Sequence, residues 1–422
     1  MGRVNKAGKA LNRGTVSMKE RISPFISLRH TDFRRMWFGQ LISEAGSEMQ
    51  MVAINWHVYI LTHSPIALGL VSLARVVPHL ILSLVGGVYA DSHDRRKILM
   101  VTQSTMMLLA GLLALFHDAG NLSVALIYVI SGGLAAALAF DGPAWSSMVP
   151  NLVPREHLMN ALSLNNVMRN AATVAGPALA GFIIAWKGVV AVYVINIVSF
   201  IAVLIALIRM KTPTQASLVV SKVSLSAIRE GIHFVFKSQI LLATTMVDFF
   251  STFLSSATAL LPIFVKEILN VGPQGLGILY SARSIGAVTA AVGMSFLGNV
   301  RKKGRLVLYS VSIYALATAI FGGSHWFALS CLALMMVGAG DTVSTIMRQN
   351  IRQVETPDHL RGRMQSVIRL FTIGGPQLGN LEAGILATFI GAPWSVITGG
   401  IANLLFIGAA AKKFPKLKNF ES

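Results

Sequence analysis

The sequence predicts an all-α membrane protein of twelve transmembrane helices in two pseudo-symmetric six-helix halves. Three observations carry this. Only 13% of the 422 residues are charged and 54% are hydrophobic, whereas a soluble domain carries about 25% charged residues. Long apolar runs recur along the chain with short polar connections, and about 20 apolar residues suffice to cross the hydrocarbon of a bilayer. The second half of the chain also repeats the order of residues in the first.

Residues 1–32 form a basic tail without the apolar core of a cleaved signal peptide. Span 1 covers 33–61 and opens on Asp32-Phe-Arg-Arg-Met-Trp37, with arginines and a tryptophan suited to the interface. Spans 2 to 6 follow at 66–90, 98–116, 121–141, 160–185 and 189–209. The connection 210–237 is the longest between spans and divides an N-terminal half (33–209) from a C-terminal half (238–411). Within it, Ser226 to Phe236 reads as an amphipathic helix with Ile228, Ile232, Val235 and Phe236 on one side. Spans 7 to 12 are expected at 239–265, 275–298, 306–323, 326–347, 364–388 and 393–411, before a basic tail at 412–422.

The repeat has four parts in the same order. Pro65, Leu68, Gly69, Ala74 and Arg75 match Pro273, Leu276, Gly277, Ala282 and Arg283. Asp141, at the end of span 4, matches Asp341, late in span 10. Pro154 to Leu158 matches Pro357 to Leu360, and Gly176-Pro177 matches Gly375-Pro376. Two copies related by an axis along the membrane normal are the parallel repeat of many secondary transporters.

The net charge of +19 does not point to nucleic acid, because of where the charges lie. Of the 36 Lys and Arg, Lys187 and Lys266 fall on one side and Arg75, Arg169, Arg283 and Arg369 inside spans; the rest lie on the other side. That asymmetry places both termini in the cytoplasm. The single cysteine, Cys331, rules out an intramolecular disulfide and a cysteine-based metal cluster. No P-loop, HExxH or GxSxG is present, so no enzyme, cofactor or metal site is expected.

Charges inside a bilayer cost about 2.5–3.5 kcal/mol each on insertion scales, so each needs a reason. Glu44 and Glu48 share a face of span 1. Glu48 lies about 20 Å and Arg75 about 14 Å from the outer ends of their helices. Together they are candidates for a cavity wall, with a glutamate exchanging a proton beside Arg75; the alternative is a static ion pair between spans 1 and 2. Asp248, about 15 Å from the inner end of span 7, is the strongest proton or cation candidate of the second half. Arg283 mirrors Arg75 but is too far out to pair with Asp248, and Glu382 is a weaker cavity candidate. His57 and His79 read as hydrogen-bonded packing residues.

The loop Gly87 to Leu99, Gly-Val-Tyr-Ala-Asp-Ser-His-Asp-Arg-Arg-Lys-Ile-Leu, resembles the signature loop of the major facilitator superfamily, with Gly87, Ala90, Asp91, Arg95, Arg96 and Leu99 on the pattern. Together with Asp32-Phe-Arg-Arg-Met-Trp, Asn151 to Leu158 and Thr356 to Met364, it is similar to the bacterial branch of enterobactin-type siderophore exporters and macrolide efflux proteins. Gly176-Pro177-Ala-Leu-Ala-Gly181 resembles the span 5 motif of proton-coupled antiporters. The resemblance implies a monomeric carrier in a bacterial inner membrane, exchanging protons for a small amphipathic molecule. It also implies a latch, in which Asp91 faces the N-terminus of span 11 and Arg95 pairs with Asp141, with Asp341 and Lys303 or Arg305 as counterpart. Gly176, Pro177 and Gly181 let span 5 bend and a neighbour approach. An uptake symporter or lipid transporter on the same scaffold remains open from these residues, as does a membrane-embedded enzyme or scaffold protein.

Overall fold

Backbone N–H and C=O groups have no water to bond in hydrocarbon, so a chain this apolar must satisfy them within helices. The computed structural model describes residues 24–213, 225–256, 258–298 and 300–421; the basic tail up to residue 23 and linker residues 214–224 lie outside them. The long helices are α1 (Thr31–Thr62), α2 (Pro65–Ser92), α3 (Arg95–Asp118), α4 (Val124–Leu152), α5 (Leu158–Lys187) and α6 (Val189–Ile208), then α7 (Gln239–Leu254), α8 (Gly272–Phe296), α9 (Lys303–Gly323), α10 (Phe327–Glu355), α11 (Arg361–Ile390) and α12 (Ala392–Lys413). A linker helix, Leu225–Lys237, precedes α7. Ten segments built on these helices are long and apolar enough to cross a membrane. The other two, α1 and α11, are diluted by polar residues such as Glu44, Glu48 and Gln50, or Arg369, Gln377 and Asn380.

Three spans differ from expectation. Helix α4 continues past Asp141 to Leu152 and α10 past Met347 to Glu355. Asp141 is therefore a mid-helix residue rather than the end of a span, and Asp341 lies at the middle of α10 rather than late in it. Span 7 is not one helix. It breaks after Leu254 and resumes as a 3-10 turn (Thr258–Leu260), a short α turn and a π turn (Phe264–Ile268). Side chains from three helices satisfy the freed backbone: Asn380 Oδ1 accepts from Ala259 N (3.3 Å), Tyr280 donates to Thr258 O (3.1 Å) and Tyr314 to Ser255 O (3.3 Å).

The two halves pair their helices alike. In the first, α2 and α3 pack on α4, α3 and α1 on α6, and α1 on α5; in the second, α8 and α9 pack on α10, α9 and α7 on α12, and α7 on α11. The principal contacts between halves are α2 with α11 and α5 with α8. Both are close crossings at glycine. A Cβ on Gly181 would lie 3.0 Å from Gly277 Cα, and one on Gly384 3.2 Å from Gly69 Cα.

Both crossings lie toward the far side, opposite the side where α1 begins and α12 ends. One core cluster joins the halves there, through Leu68, Val71, Ala180, Leu276, Leu279 and Ala383. Toward the side of the tails the clusters are separate, one around Phe33, Trp145 and Leu207 and another around Val247, Val311 and Ile351. Every hydrogen bond between the halves among the described residues is in the far-side portion: Asn55 to Tyr280 (3.0 Å), Tyr59 to Glu267, Ser281 to Val174 O (2.7 Å) and Asn380 to Ser72 (3.2 Å). The cleft between the halves is thus closed on the far side and open on the tail side.

The linker helix docks on α11. Val235 is buried with Met364 and Val367, and Glu230 pairs with Arg363. Ile232 and Phe236, expected on the same face, are instead exposed. Valine at Gly181 would sit against the Pro273 carbonyl and Gly277, so Gly181→Val is expected to hold α5 away from α8. The check is thiol labelling of single cysteines on the far side, which should react faster than in the parent.

Candidate functional site

The cleft has two unlike walls. In the first half, α1 presents Gln40, Glu44, Ser47, Glu48 and Met51 on one stripe, the i, i+3/i+4 spacing of a helix face. These residues meet Arg75 of α2, Gln103 of α3 and Asp141 of α4 around a cavity of about 90 Å³. A second cavity of about 70 Å³ continues it, sharing Ser47, Met51 and Arg75. Gly176 of α5 permits this arrangement, since a Cβ there would lie 2.7 Å from Glu48 Cβ. No ion pair within 4 Å joins Glu44 or Glu48 to Arg75 among the described residues, so the static-pair alternative is not what forms.

Asp141 is bound within its own half. Thr102 Oγ1 donates to it at 2.6 Å and Gln103 Nε2 at 3.0 Å, and Ser43 donates to Gln103 Oε1 at 3.3 Å. The expected Arg95–Asp141 pair is absent. Helix α4 carries Asp141 about 16 Å below its end, beyond the reach of Arg95 on the first residue of α3. Asp91 makes no hydrogen bond or ion pair among the described residues, and it is Asp94 that caps α3, accepting from Arg96 N (3.0 Å). Gly87 has open space at its Cβ position; the close approach belongs to Gly86, against Ala139.

The second wall is held by a buried charge cluster. Arg348 Nη2 donates to Asp248 Oδ1 at 2.9 Å, Arg352 Nη2 to Asp248 Oδ2 at 3.1 Å, and Thr372 Oγ1 to Oδ2 at 3.1 Å. Arg348 is only 1% exposed. Asp248, expected as a proton or cation site, is thus paired with two arginines and a threonine. Its arginine partners lie beyond the expected end of span 10 at residue 347, because the polar end of α10 lacks the hydropathy of a span. The signal available was the four-residue spacing of Ser344, Arg348 and Arg352, one face of a continuing helix. Beside the cluster opens a cavity of about 360 Å³ bordered by Asp248, Gln349, Arg352, Gln365, Arg369 and Thr372.

Arg283 sits between these regions, donating to Thr258 (2.8 Å) and pairing with Asp341 at 3.5 Å. The expected Asp341 contact with Lys303 or Arg305 does not form; Lys303 bonds Asn350 (2.8 Å). Glu382 lies outside the lining of these cavities, near the α2 crossing. His57 bonds Tyr193 (3.1 Å) and His117 (3.1 Å), and His79 the Ala135 carbonyl (3.2 Å). Sequence reasoning missed the far-side closure of Asn55, Tyr59, Glu267 and Tyr280, whose polar groups meet only across the two halves.

Residues 22–422 match the family model described as transmembrane secretion effector. The chain is 25% identical to the enterobactin exporter EntS of Shigella boydii serotype 18, over 90% of each protein. It is likewise 25% identical to the staphyloferrin A transporter of Staphylococcus aureus, over 85% of this chain and 90% of that one. A bacterial homologue of the iron transporter ferroportin in an inward-facing state superposes with a TM-score of 0.67 at 15% identity, covering 91% of this chain and 98% of the other. The chain belongs to the transmembrane secretion effector family, within the major facilitator superfamily, and is a membrane transporter rather than an enzyme.

Removing one partner of a buried ion pair is destabilising by about 3–5 kcal/mol. Asp248→Asn leaves two buried guanidinium groups side by side, so its thermal unfolding midpoint in detergent should fall clearly. Replacing Arg348 and Arg352 by Met in that background should recover part of the loss. A single variant as stable as the parent would show that the arginines do not need the carboxylate.

Proposed function

We propose that this member of the family is a proton-coupled exporter of a small amphipathic molecule, of the siderophore or drug and macrolide kind, working as a monomer by alternating access in a bacterial cytoplasmic membrane. The tail side is taken as the cytoplasm, on the strength of the Lys and Arg concentrated there. The open cleft is then the substrate-loading state. Outward direction and substrate kind are supported by the relatives, one an enterobactin exporter and one a staphyloferrin A transporter.

The observation that carries the coupling is the pair Glu44 and Glu48. Both border the cleft cavity beside Arg75, and neither is tied by an ion pair or hydrogen bond among the described residues. Carboxylates so placed exchange protons with whichever side the cleft faces. Protons enter from outside when the far side opens and leave to the cytoplasm as substrate binds. One charge crossing 100 mV is worth about 2.3 kcal/mol, enough for a gradient of tens-fold per proton.

Opening the far side requires parting Asn55 from Tyr280 and Tyr59 from Glu267. Closing the tail side would bring Asp91 and the start of α3 toward α11.

The test is flux in proteoliposomes under an imposed pH gradient, with a pH-sensitive dye reporting proton movement. The substrate would come from a siderophore-secretion and toxicity screen of a deletion strain. Glu48→Gln or Glu44→Gln should abolish proton movement and flatten the dependence of flux on pH. Unchanged pH dependence in both would remove the two as carriers.

A further inference from the structure

We propose that the wall supplied by the second half is a binding site for carboxylate groups of the transported molecule, with Arg369 and Arg352 as its binding side chains. This rests on the transport reading above and gives it a substrate class, an anionic carboxylate rather than a neutral or purely cationic compound.

The cavity of about 360 Å³ is larger than the two on the opposite wall, about 90 and 70 Å³. Water in the liquid takes about 30 Å³ per molecule, so the space holds roughly a dozen waters or a ligand group of several carboxylates. Its lining is rich in donors: Gln349, Gln365, Thr345, Arg352 and Arg369, with Asp248 the one carboxylate. The charges do not balance. Asp248 answers both Arg348 and Arg352, which leaves one positive charge over. Arg369 adds a second. It lies about 12 Å into α11 and has no hydrogen bond or ion pair among the described residues. The acidic groups of the opposite wall, Glu44, Glu48 and Asp141, make no ion pair with it.

A second observation points the same way. Arg348 Nε is buried without an acceptor, so the cluster is short of acceptor oxygens as well as of negative charge. Arg369 borders the same cavity as Asp248 of α7 and Arg352 of α10, which puts it on the cleft rather than on the acyl chains. A carboxylate supplies two acceptor oxygens in the plane that a guanidinium fork recognises. When the cleft closes, such a group takes the place that water fills in the open state.

The test uses the purified full-length protein in neutral detergent, with citrate as probe and its uncharged triethyl ester as control, read by calorimetry. Citrate should bind and the ester should not. Arg369→Gln should weaken citrate at least tenfold and Arg369→Lys less. Arg369 is exposed and unpaired, so its loss should be tolerated by the fold; Arg352→Gln serves as the second variant. Citrate binding unaffected by Arg369→Gln overturns the proposal, as does equal binding of the ester. Dioleoylphosphatidylglycerol displacing nothing supports it, whereas retention of that lipid at Arg369 with no citrate binding overturns it in favour of a headgroup site. No gradient enters the measurement, so it stands apart from proton coupling and direction. Proton-coupled flux of an uncharged substrate would sink this proposal alone.

Discussion

An ionised group sunk in a bilayer has to be met by an opposite charge or by water. The interior of this protein is organised around that requirement. On one wall of the cleft Arg348 and Arg352 share a single carboxylate, Asp248, with all three side chains largely buried. On the other, Glu44, Glu48 and Arg75 remain unpaired and border space that water can enter. The two solutions require opposite surroundings. The triad needs packed helices α7, α10 and α11 about it, and the glutamates need a cavity. The open cleft is what lets both exist in one molecule.

The repeat makes the difference between walls informative. Arg75 and Asp141 correspond to Arg283 and Asp341, yet only the second couple is joined, at 3.5 Å. In the first half Asp141 is taken up by Thr102 and Gln103, which leaves Arg75 free to face the cavity. The contacts of Gly176 with Glu48 and of Gly375 with Thr252 place these two α1 and α7 residues at equivalent levels. One turn away, Glu44 then stands where the second half has Asp248. The residues at the positions of Arg348 and Arg352, offset like Asp141 and Asp341, are Met148 and Leu152. The duplicated scaffold is shared, and the electrostatics of its halves are not.

Much of this architecture was legible beforehand. The helix positions follow from apolar runs, and the duplication from Pro65-to-Arg75 and its copy. The Gly181 approach follows from small residues in a span. What escaped shares one cause. The last turns of α4 and α10 carry Ser146, Ser147, Arg348, Gln349 and Asn350 in place of leucines, and in α10 Gln349 and Arg352 border the cleft cavity. Hydropathy reads such turns as loop. On hydropathy alone Asp141 falls at the end of span 4, Asp341 late in span 10, and the arginine partners of Asp248 outside it. The break in span 7 escaped for another reason: Ser255 and Ser256 are ordinary in a membrane helix, and the side chains that stabilise the break, Asn380 and Tyr314, come from other helices.

The glycine crossings carry one mechanical consequence. Each joins the halves backbone to backbone, with no long side chain interlocked between Gly181 and Gly277 or between Gly69 and Gly384. Such a joint is a smooth fulcrum: it can tilt without any rotamer having to unlock. From Gly277 to the end of α8 at Phe296 the lever arm is about 28 Å. A rotation of about ten degrees at the joint therefore becomes a displacement of about 5 Å at the mouth of the cleft.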